Sequence, residues 1–123
     1  MTKRNISYIE IPTRNSSESA KFYEGLFGWK TAATEGMDYV IWDAGEGPTG
    51  GFNPINAEFK AGDVSIYVNS EDIEADLKKA AALGGSIEHE KTEIPGFGWW
   101  GMFKDTSGNR IGLYHFTAAA DQK

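Results

Sequence analysis

Residues 5–29, NISYIEIPTRNSSESAKFYEGLFGW, contain the pattern that decides the fold. Apolar and polar residues alternate over residues 5–12, as in a strand with one buried face, and a proline ends the run. A helix is predicted next, because Asn15 and the serines after it are favourable N-caps and apolar residues recur at helical spacing. Gly28 suits the position that ends a helix. Short strands are then predicted over residues 29–33, 39–43 and 50–54.

The same order recurs in the second half of the chain. Residues 62–70, GDVSIYVNS, alternate again as a strand. The helix that follows is predicted to be capped by Ser70 and to stop at Gly84. Its end, ALGGS, lies about half the chain after the corresponding LFGWK of the first helix, which indicates an internal duplication. Further strands are predicted near residues 86–89, 99–104 and 110–116.

Composition and charge exclude several functional classes. The chain has 123 residues, enough for one domain, and 40% of them are hydrophobic, enough for a core. The formal net charge is −6 and no basic face is visible, so we expect no nucleic-acid partner. We also expect no membrane partner, since no apolar run resembles a signal peptide or a membrane span. With no cysteine the chain lacks disulfides and thiolate ligands, which fits a cytoplasmic protein.

Two histidines and one glycine-rich loop are the obvious cofactor candidates. His89 lies in the acidic stretch EHEKTE, which is typical of a solvated segment, and His115 is predicted to face away from Gly112. Two histidines alone are too few for zinc, which takes three or four protein ligands, whereas two histidines with a carboxylate could hold iron. The loop GEGPTG, residues 45–50, matches a dinucleotide-binding spacing, but no helix follows it, so we interpret it as a hairpin loop. We therefore expect no metal and no other cofactor.

Strand alternation yields candidate site residues. Glu10 falls on the same predicted face as Tyr8, opposite Ile9, and it is the best candidate for an acid or base. The alternative is a solvated residue on an open sheet face. Trp99 and Trp100 are adjacent in a strand, so one is predicted to lie in the core while the other lines a cleft.

Three segments together resemble the vicinal oxygen chelate superfamily, which includes glyoxalase I, bleomycin resistance proteins and extradiol dioxygenases. They are IEIP…SAKFYEGLFGW in the first half, GPTGGFNP in the fourth strand, and DTSGNRIGLYHF near the end. The resemblance implies an α+β fold in which two repeated βαβββ modules, at about residues 5–56 and 61–117, form a U-shaped mixed β-sheet cleft. It implies a single domain over residues 1–123 and a homodimer.

The resemblance also identifies four positions at which metal-dependent members carry ligands. On the last strand the position is Gly112, and on the fourth strand it is Gly51. The second half offers Asp63, and the first half offers Ile6, or Tyr8 if the register shifts by two. A single carboxylate does not hold a catalytic metal, so the resemblance favours the metal-free branch that includes bleomycin resistance proteins.

The sequence therefore predicts a metal-free protein that binds a small organic ligand, aromatic or cationic, in its cleft. An enzyme is the alternative, either metal-dependent (a lyase, isomerase or dioxygenase) or metal-free with Glu10 as the base and Tyr8 or Tyr67 as the acid. A protein-interaction module with a collapsed cleft is the third possibility. Whether the cleft forms within one chain or across a dimer stays open. The residues predicted to line it are Tyr8, Glu10, Asp63, Ser65, Tyr67, Trp100 and Tyr114.

Overall fold

The computed structural model describes residues 4–116, which fall into two compact units. The first unit comprises residues 7–66, and the second comprises residues 67–116 together with 4–6. Both are α+β, and each has the predicted order of one strand, one helix and three strands. Neither of the described helices is long and apolar enough to cross a membrane.

The first unit contains a four-stranded sheet covered by one helix. Its elements are β1 (Ile6–Thr13), α1 (Ser16–Phe27), β2 (Lys30–Ala33), β3 (Val40–Asp43) and β4 (Thr49–Pro54). The strand order is β2-β3-β4-β1, with β1 and β4 parallel and the other pairs antiparallel. The core between sheet and helix is formed by Ala20, Val40, Trp42 and Phe52, with Ile9 and Ile11 packed against it.

Local signals set the ends of α1 as predicted. The Asn15 side chain accepts a hydrogen bond from the backbone N–H of Glu18, as an N-cap residue does. Gly28 ends the helix in the left-handed conformation, with φ of 76°, which glycine adopts without a Cβ clash. The loop GEGPTG joins the antiparallel strands β3 and β4, which confirms the hairpin interpretation.

The second unit repeats the arrangement. Its elements are β5 (Ser65–Asn69, which begins at the end of the first unit), α2 (Ile73–Ala82), β6 (Ser86–Ile94), β7 (Gly98–Lys104) and β8 (Arg110–Phe116). The strand order is β5-β8-β7-β6, with β5 and β8 parallel and the other pairs antiparallel. Ile73, Leu77 and Leu113 form the core under α2, and Val68, Trp99 and Phe103 pack against it.

Two local predictions for this unit are wrong. Asp72, not Ser70, caps α2, because its carboxylate accepts from the N–H of Ala75. Ser70 is instead fully buried and donates its hydroxyl proton to Asp76 over 2.6 Å. The strand predicted from residue 62 begins only at Ser65.

Candidate functional site

A chain of three polar side chains lies on the sheet face of the first unit that points away from α1. Tyr8 and Glu10 alternate with Ile9, which packs under the helix, so the predicted division of β1 into two faces is confirmed. The Tyr39 hydroxyl donates to Glu10 Oε2 over 2.8 Å and lies 2.6 Å from the Tyr8 hydroxyl. Because Tyr39 gives its only hydroxyl proton to Glu10, the Tyr8 hydroxyl must donate to Tyr39.

Burial holds Tyr39 in its neutral form. Loss of solvation raises the pKa of Tyr39 above its ordinary value, and the nearby Glu10 carboxylate and Tyr8 hydroxyl raise it further. Tyr39 therefore acts as a fixed hydrogen-bond donor, and the acceptor it positions is Glu10.

The Tyr39 ring also fills the space beside Gly51 on β4. A Cβ atom at Gly51 would lie 2.6 Å from Cε2 of Tyr39 and closer still to its hydroxyl oxygen. Gly51 pairs with Glu10 across the parallel strands β1 and β4. The Tyr39 ring occupies the space that a side chain at position 51 would need, which accounts for the glycine there.

The second unit has the same arrangement at Gly112. A Cβ atom there would lie 2.8 Å from Cγ of Tyr67 and closer still to two other ring carbons. Gly112 pairs with Tyr67 across the parallel strands β5 and β8. In the first unit, Gly51 pairs with Glu10 in the same way across β1 and β4. In both units, therefore, a tyrosine ring takes the place of the side chain that glycine lacks.

Aromatic side chains continue from Tyr67 across the sheet of the second unit. The Tyr114 ring centroid lies 5.8 Å from that of Tyr67 and 4.1 Å from that of Phe116. Trp100 pairs with Tyr114 across β7 and β8, and its ring centroid lies 4.8 Å from that of His89. We call these five residues the aromatic face. Tyr67 is buried, and the other four are half-buried.

Trp99 shows that the aromatic face is separate from the core. It packs against the cluster under α2, whereas its neighbour Trp100 contacts His89, so the two tryptophans face opposite sides as predicted. His115 also points away from the aromatic face, and its Nδ1 lies 2.9 Å from the Ser70 carbonyl oxygen. The stretch EHEKTE is largely exposed, as predicted, although His89 within it is half-buried with its ring beside Trp100.

The residues predicted to line a cleft belong to both units. Tyr8 and Glu10 belong to the first unit, and Tyr67, Trp100 and Tyr114 belong to the aromatic face. The two remaining residues have other settings. Ser65 is buried at the start of β5, and the Asp63 carboxylate accepts the N–H of Lys60 in the turn before that strand.

Sequence reasoning missed Tyr39, which connects Tyr8 to Glu10. Strand alternation places Tyr39 on the same predicted face as Ile41, but its contact with Glu10 also depends on the register of β3 against β4. Ile41 pairs with Gly51 across β3 and β4, so a large residue at position 39 lies next to the gap at the glycine.

Comparison with known proteins identifies the family. The model of the Glyoxalase/Bleomycin resistance protein/Dioxygenase superfamily matches residues 5–113. The chain belongs to this superfamily. Within it, a glyoxylase-like domain-containing protein of Didymella fabae is 28% identical over 112 residues, covering 85% of this chain and 88% of its own. CFP32 of Mycobacterium bovis, provisionally named a glyoxylase, is 28% identical over 102 residues; these cover 80% of this chain but only 39% of that protein.

Solved structures show the same superfamily fold at low sequence identity. Methylmalonyl-CoA epimerase from Mycobacterium tuberculosis superposes with a TM-score of 0.72 at 12% identity, covering 96% of this chain and 91% of its own. The protein BH1468 of Bacillus halodurans superposes with a TM-score of 0.74 at 13% identity, covering 95% of this chain and 97% of its own. At such identities the likeness concerns the fold alone.

The residues at the superfamily's expected ligand positions do not fit a divalent metal. Gly51 and Gly112 offer no donor atom, and tyrosine rings occupy the space a ligand side chain would need. Asp63 is engaged in a turn, and Tyr8 is bonded to Tyr39. A catalytic metal requires at least three protein ligands around one point, and this donor set does not supply them.

Proposed function

We propose that the chain is a small-molecule-binding protein of the superfamily that works without a divalent metal and binds an aromatic or cationic organic ligand on the aromatic face. One observation carries the proposal, namely that two groups of ring contacts, Tyr67–Tyr114–Phe116 and His89–Trp100, lie side by side across paired strands on the side of the sheet that does not pack under α2. By contrast, the neighbouring Trp99 packs against the core under α2.

The chemistry of the rings supports this class of ligand. An aromatic ligand stacking on a tyrosine or tryptophan gains about 0.5–1.5 kcal/mol beyond its buried area. A cation over a tryptophan ring gains about 0.5–2 kcal/mol, more when water is excluded. The net charge of −6 also attracts cationic ligands at long range, an effect that salt weakens.

Binding of benzyltrimethylammonium, measured by calorimetry, tests the proposal against benzyl alcohol as the neutral probe and phenylacetate as the anionic probe. We expect the cation to bind most tightly, and Trp100→Ala to weaken its binding roughly tenfold. Trp99→Ala is the matched control, since that ring lies on the other face. Equal losses from the two substitutions, or no binding of any aromatic probe, would contradict the proposal.

Elemental analysis of the purified protein tests the metal-free part. We expect far less than one divalent ion per chain, even after incubation with zinc, nickel, iron or manganese salts. A stoichiometric ion that survives gel filtration would overturn this part of the proposal.

A metal-free acid–base enzyme is the second candidate, and the hydrogen-bonded chain from Tyr8 through Tyr39 to Glu10 favours it. A carboxylate held by a neutral donor is suited to accept a proton from a carbon acid. Deuterium uptake at the α-carbon of methylmalonyl-CoA in heavy water is a direct test, since one structural relative is an epimerase of that compound. Exchange that Glu10→Gln abolishes would establish the enzyme; no exchange leaves the binding function as the better account.

The homodimer and the cytoplasmic location expected from the sequence stay predictions, because the structure of a single chain tests neither.

A further inference from the structure

A cavity lies on the opposite side of the second unit's sheet from the aromatic face. It has a volume of about 420 Å³ and apolar walls formed by Val68, Leu83, Phe103 and Leu113. Val68 and Leu113 alternate with the aromatic-face residues on their strands, so the cavity lies on the helix side. Leu83, which follows the last turn of α2, is 71% exposed, so the cavity presents apolar surface that the fold itself leaves uncovered.

The acidic groups at the rim of this cavity are already engaged. Asp76 bonds to Arg4 at 2.9 Å and to Ser70 at 2.6 Å. Partial burial opposes ionisation of Asp76, but these two donors outweigh it and lower its pKa. Asp105 accepts the backbone N–H groups of Asn109 and Ser107, and these bonds lower its pKa. Both carboxylates therefore stay ionised at neutral pH, and Asp76 already has a cationic partner in Arg4.

Three cations at the rim retain hydrogen-bonding capacity. The guanidinium of Arg4 has five N–H donors, and its bond to Asp76 leaves others available. The Nζ atom of Lys104 lies 3.6 Å from a Glu88 oxygen, a looser ion pair. Lys79 adds a third positive charge from the exposed side of α2. The rim thus offers donors and positive charge around an apolar interior.

We propose that this cavity, which we call the α2 cavity, binds an amphiphilic carboxylate: the head group pairs with Lys79, Arg4 and Lys104 while a short hydrocarbon tail covers Leu83 and Phe103. The volume lies in the range of about 300–1,000 Å³ that accommodates small organic ligands. Because the cavity and the aromatic face lie on opposite sides of the sheet, both can be occupied at once.

Binding of octanoate, followed by amide chemical shifts in a nitrogen-15 NMR titration, tests the proposal. We expect saturable shifts at Val68, Leu83 and Leu113 with a dissociation constant of roughly 1 mM or lower. Hexanoate should bind more weakly, by up to roughly fourfold for each methylene removed from the cavity. Octanol and octyltrimethylammonium, which share the tail but lack the anion, should bind at least several-fold more weakly than octanoate.

A pair of lysine substitutions separates this site from general attraction of anions. Lys79→Glu should weaken octanoate binding by about fivefold, since it removes one ion pair and adds a repulsion. Lys78→Glu is the matched control, because this neighbouring exposed residue of α2 makes the same change in net charge but does not line the cavity. Leu83→Ser provides a second variant at an exposed site that should fold normally. The proposal is overturned if octanoate does not bind, if its shifts map to Tyr67 and Tyr114, or if Lys78→Glu weakens binding as much as Lys79→Glu.

Discussion

Replacing Gly112 by alanine tests whether the Tyr67 ring occupies the side-chain position beside β8. The new Cβ would lie 2.8 Å from Cγ of Tyr67, with two ring carbons closer still, whereas carbon atoms pack at about 3.5–4.0 Å. The ring must therefore move by roughly 1 Å or more, and Tyr67 is buried, so its neighbours must move as well. Overpacking of this kind costs about 1–3 kcal/mol.

Part of that cost is offset by the effect of the substitution on the unfolded state. Alanine restricts the unfolded state more than glycine does, which stabilises the fold by about 0.4–1 kcal/mol where the backbone permits it. Gly112 does not have the positive φ that alanine avoids, so this term applies. We expect Gly112→Ala to lower the free energy of unfolding by about 1–2 kcal/mol, and the melting temperature by several degrees.

A double-mutant cycle with Tyr67→Ala, measured by urea unfolding, identifies the cause. Tyr67→Ala alone removes a buried ring and should cost about 2–5 kcal/mol. In that background the alanine at position 112 no longer meets a ring, so its cost should disappear and the coupling energy should exceed about 1 kcal/mol. Additive effects of the two substitutions, or a neutral Gly112→Ala, would refute the steric account of the glycine.

Three further perturbations test other parts of the structure. Gly25→Ala, on the exposed side of α1 where an added Cβ meets nothing within 4 Å, should raise the free energy of unfolding by about 0.5–1 kcal/mol in the same assay. Tyr39→Phe leaves Tyr8 and Glu10 without their shared partner and should cost about 1–3 kcal/mol at neutral pH. The pKa of Tyr39 is raised in the folded state, so its contribution to stability is present below the ordinary value of 10.0 and is lost as the pH rises above it. In alkaline unfolding experiments, wild type should therefore lose stability faster than the Tyr39→Phe variant. The pKa of Asp76 is lowered in the folded state, so its contribution to stability is present above the ordinary value of 3.8 and is lost as the pH falls below it. Asp76→Asn should therefore destabilise the protein at neutral pH, and the difference in stability between wild type and variant should shrink in acid.

The parts of the fold that depend on neighbouring residues were predictable from the sequence. Both ends of α1 follow from Asn15 and Gly28, whose side-chain chemistry and backbone freedom act within a few residues. At α2 the same reasoning gave Ser70, whereas the structure has Asp72, although both residue types are good caps. The choice depends on the burial of Ser70 and its bond to Asp76, which are set by packing rather than by local sequence.

The candidate site was only half predictable for the same reason. Alternation along single strands correctly separated Tyr8 and Glu10 from Ile9, and Trp100 from Trp99. The position of Tyr39 depends instead on the register of β3 against β4, which the hairpin between them sets. Strand periodicity carries no information about that register, so the bond from Tyr39 to Glu10 could not be derived from it.

The two glycines have a joint consequence for the chemistry of the chain. In the first unit Glu10 pairs with Gly51, so the ring that occupies the space beside this glycine comes from Tyr39, just before β3. In the second unit Tyr67 pairs with Gly112, and its own ring occupies the space beside that glycine. A ligand side chain added at either glycine would meet the tyrosine ring, so the ring would have to shift to make room. The absence of a ligand side chain and the presence of the ring are therefore one coupled feature in each unit, which supports a function that does not depend on a metal held at these two positions.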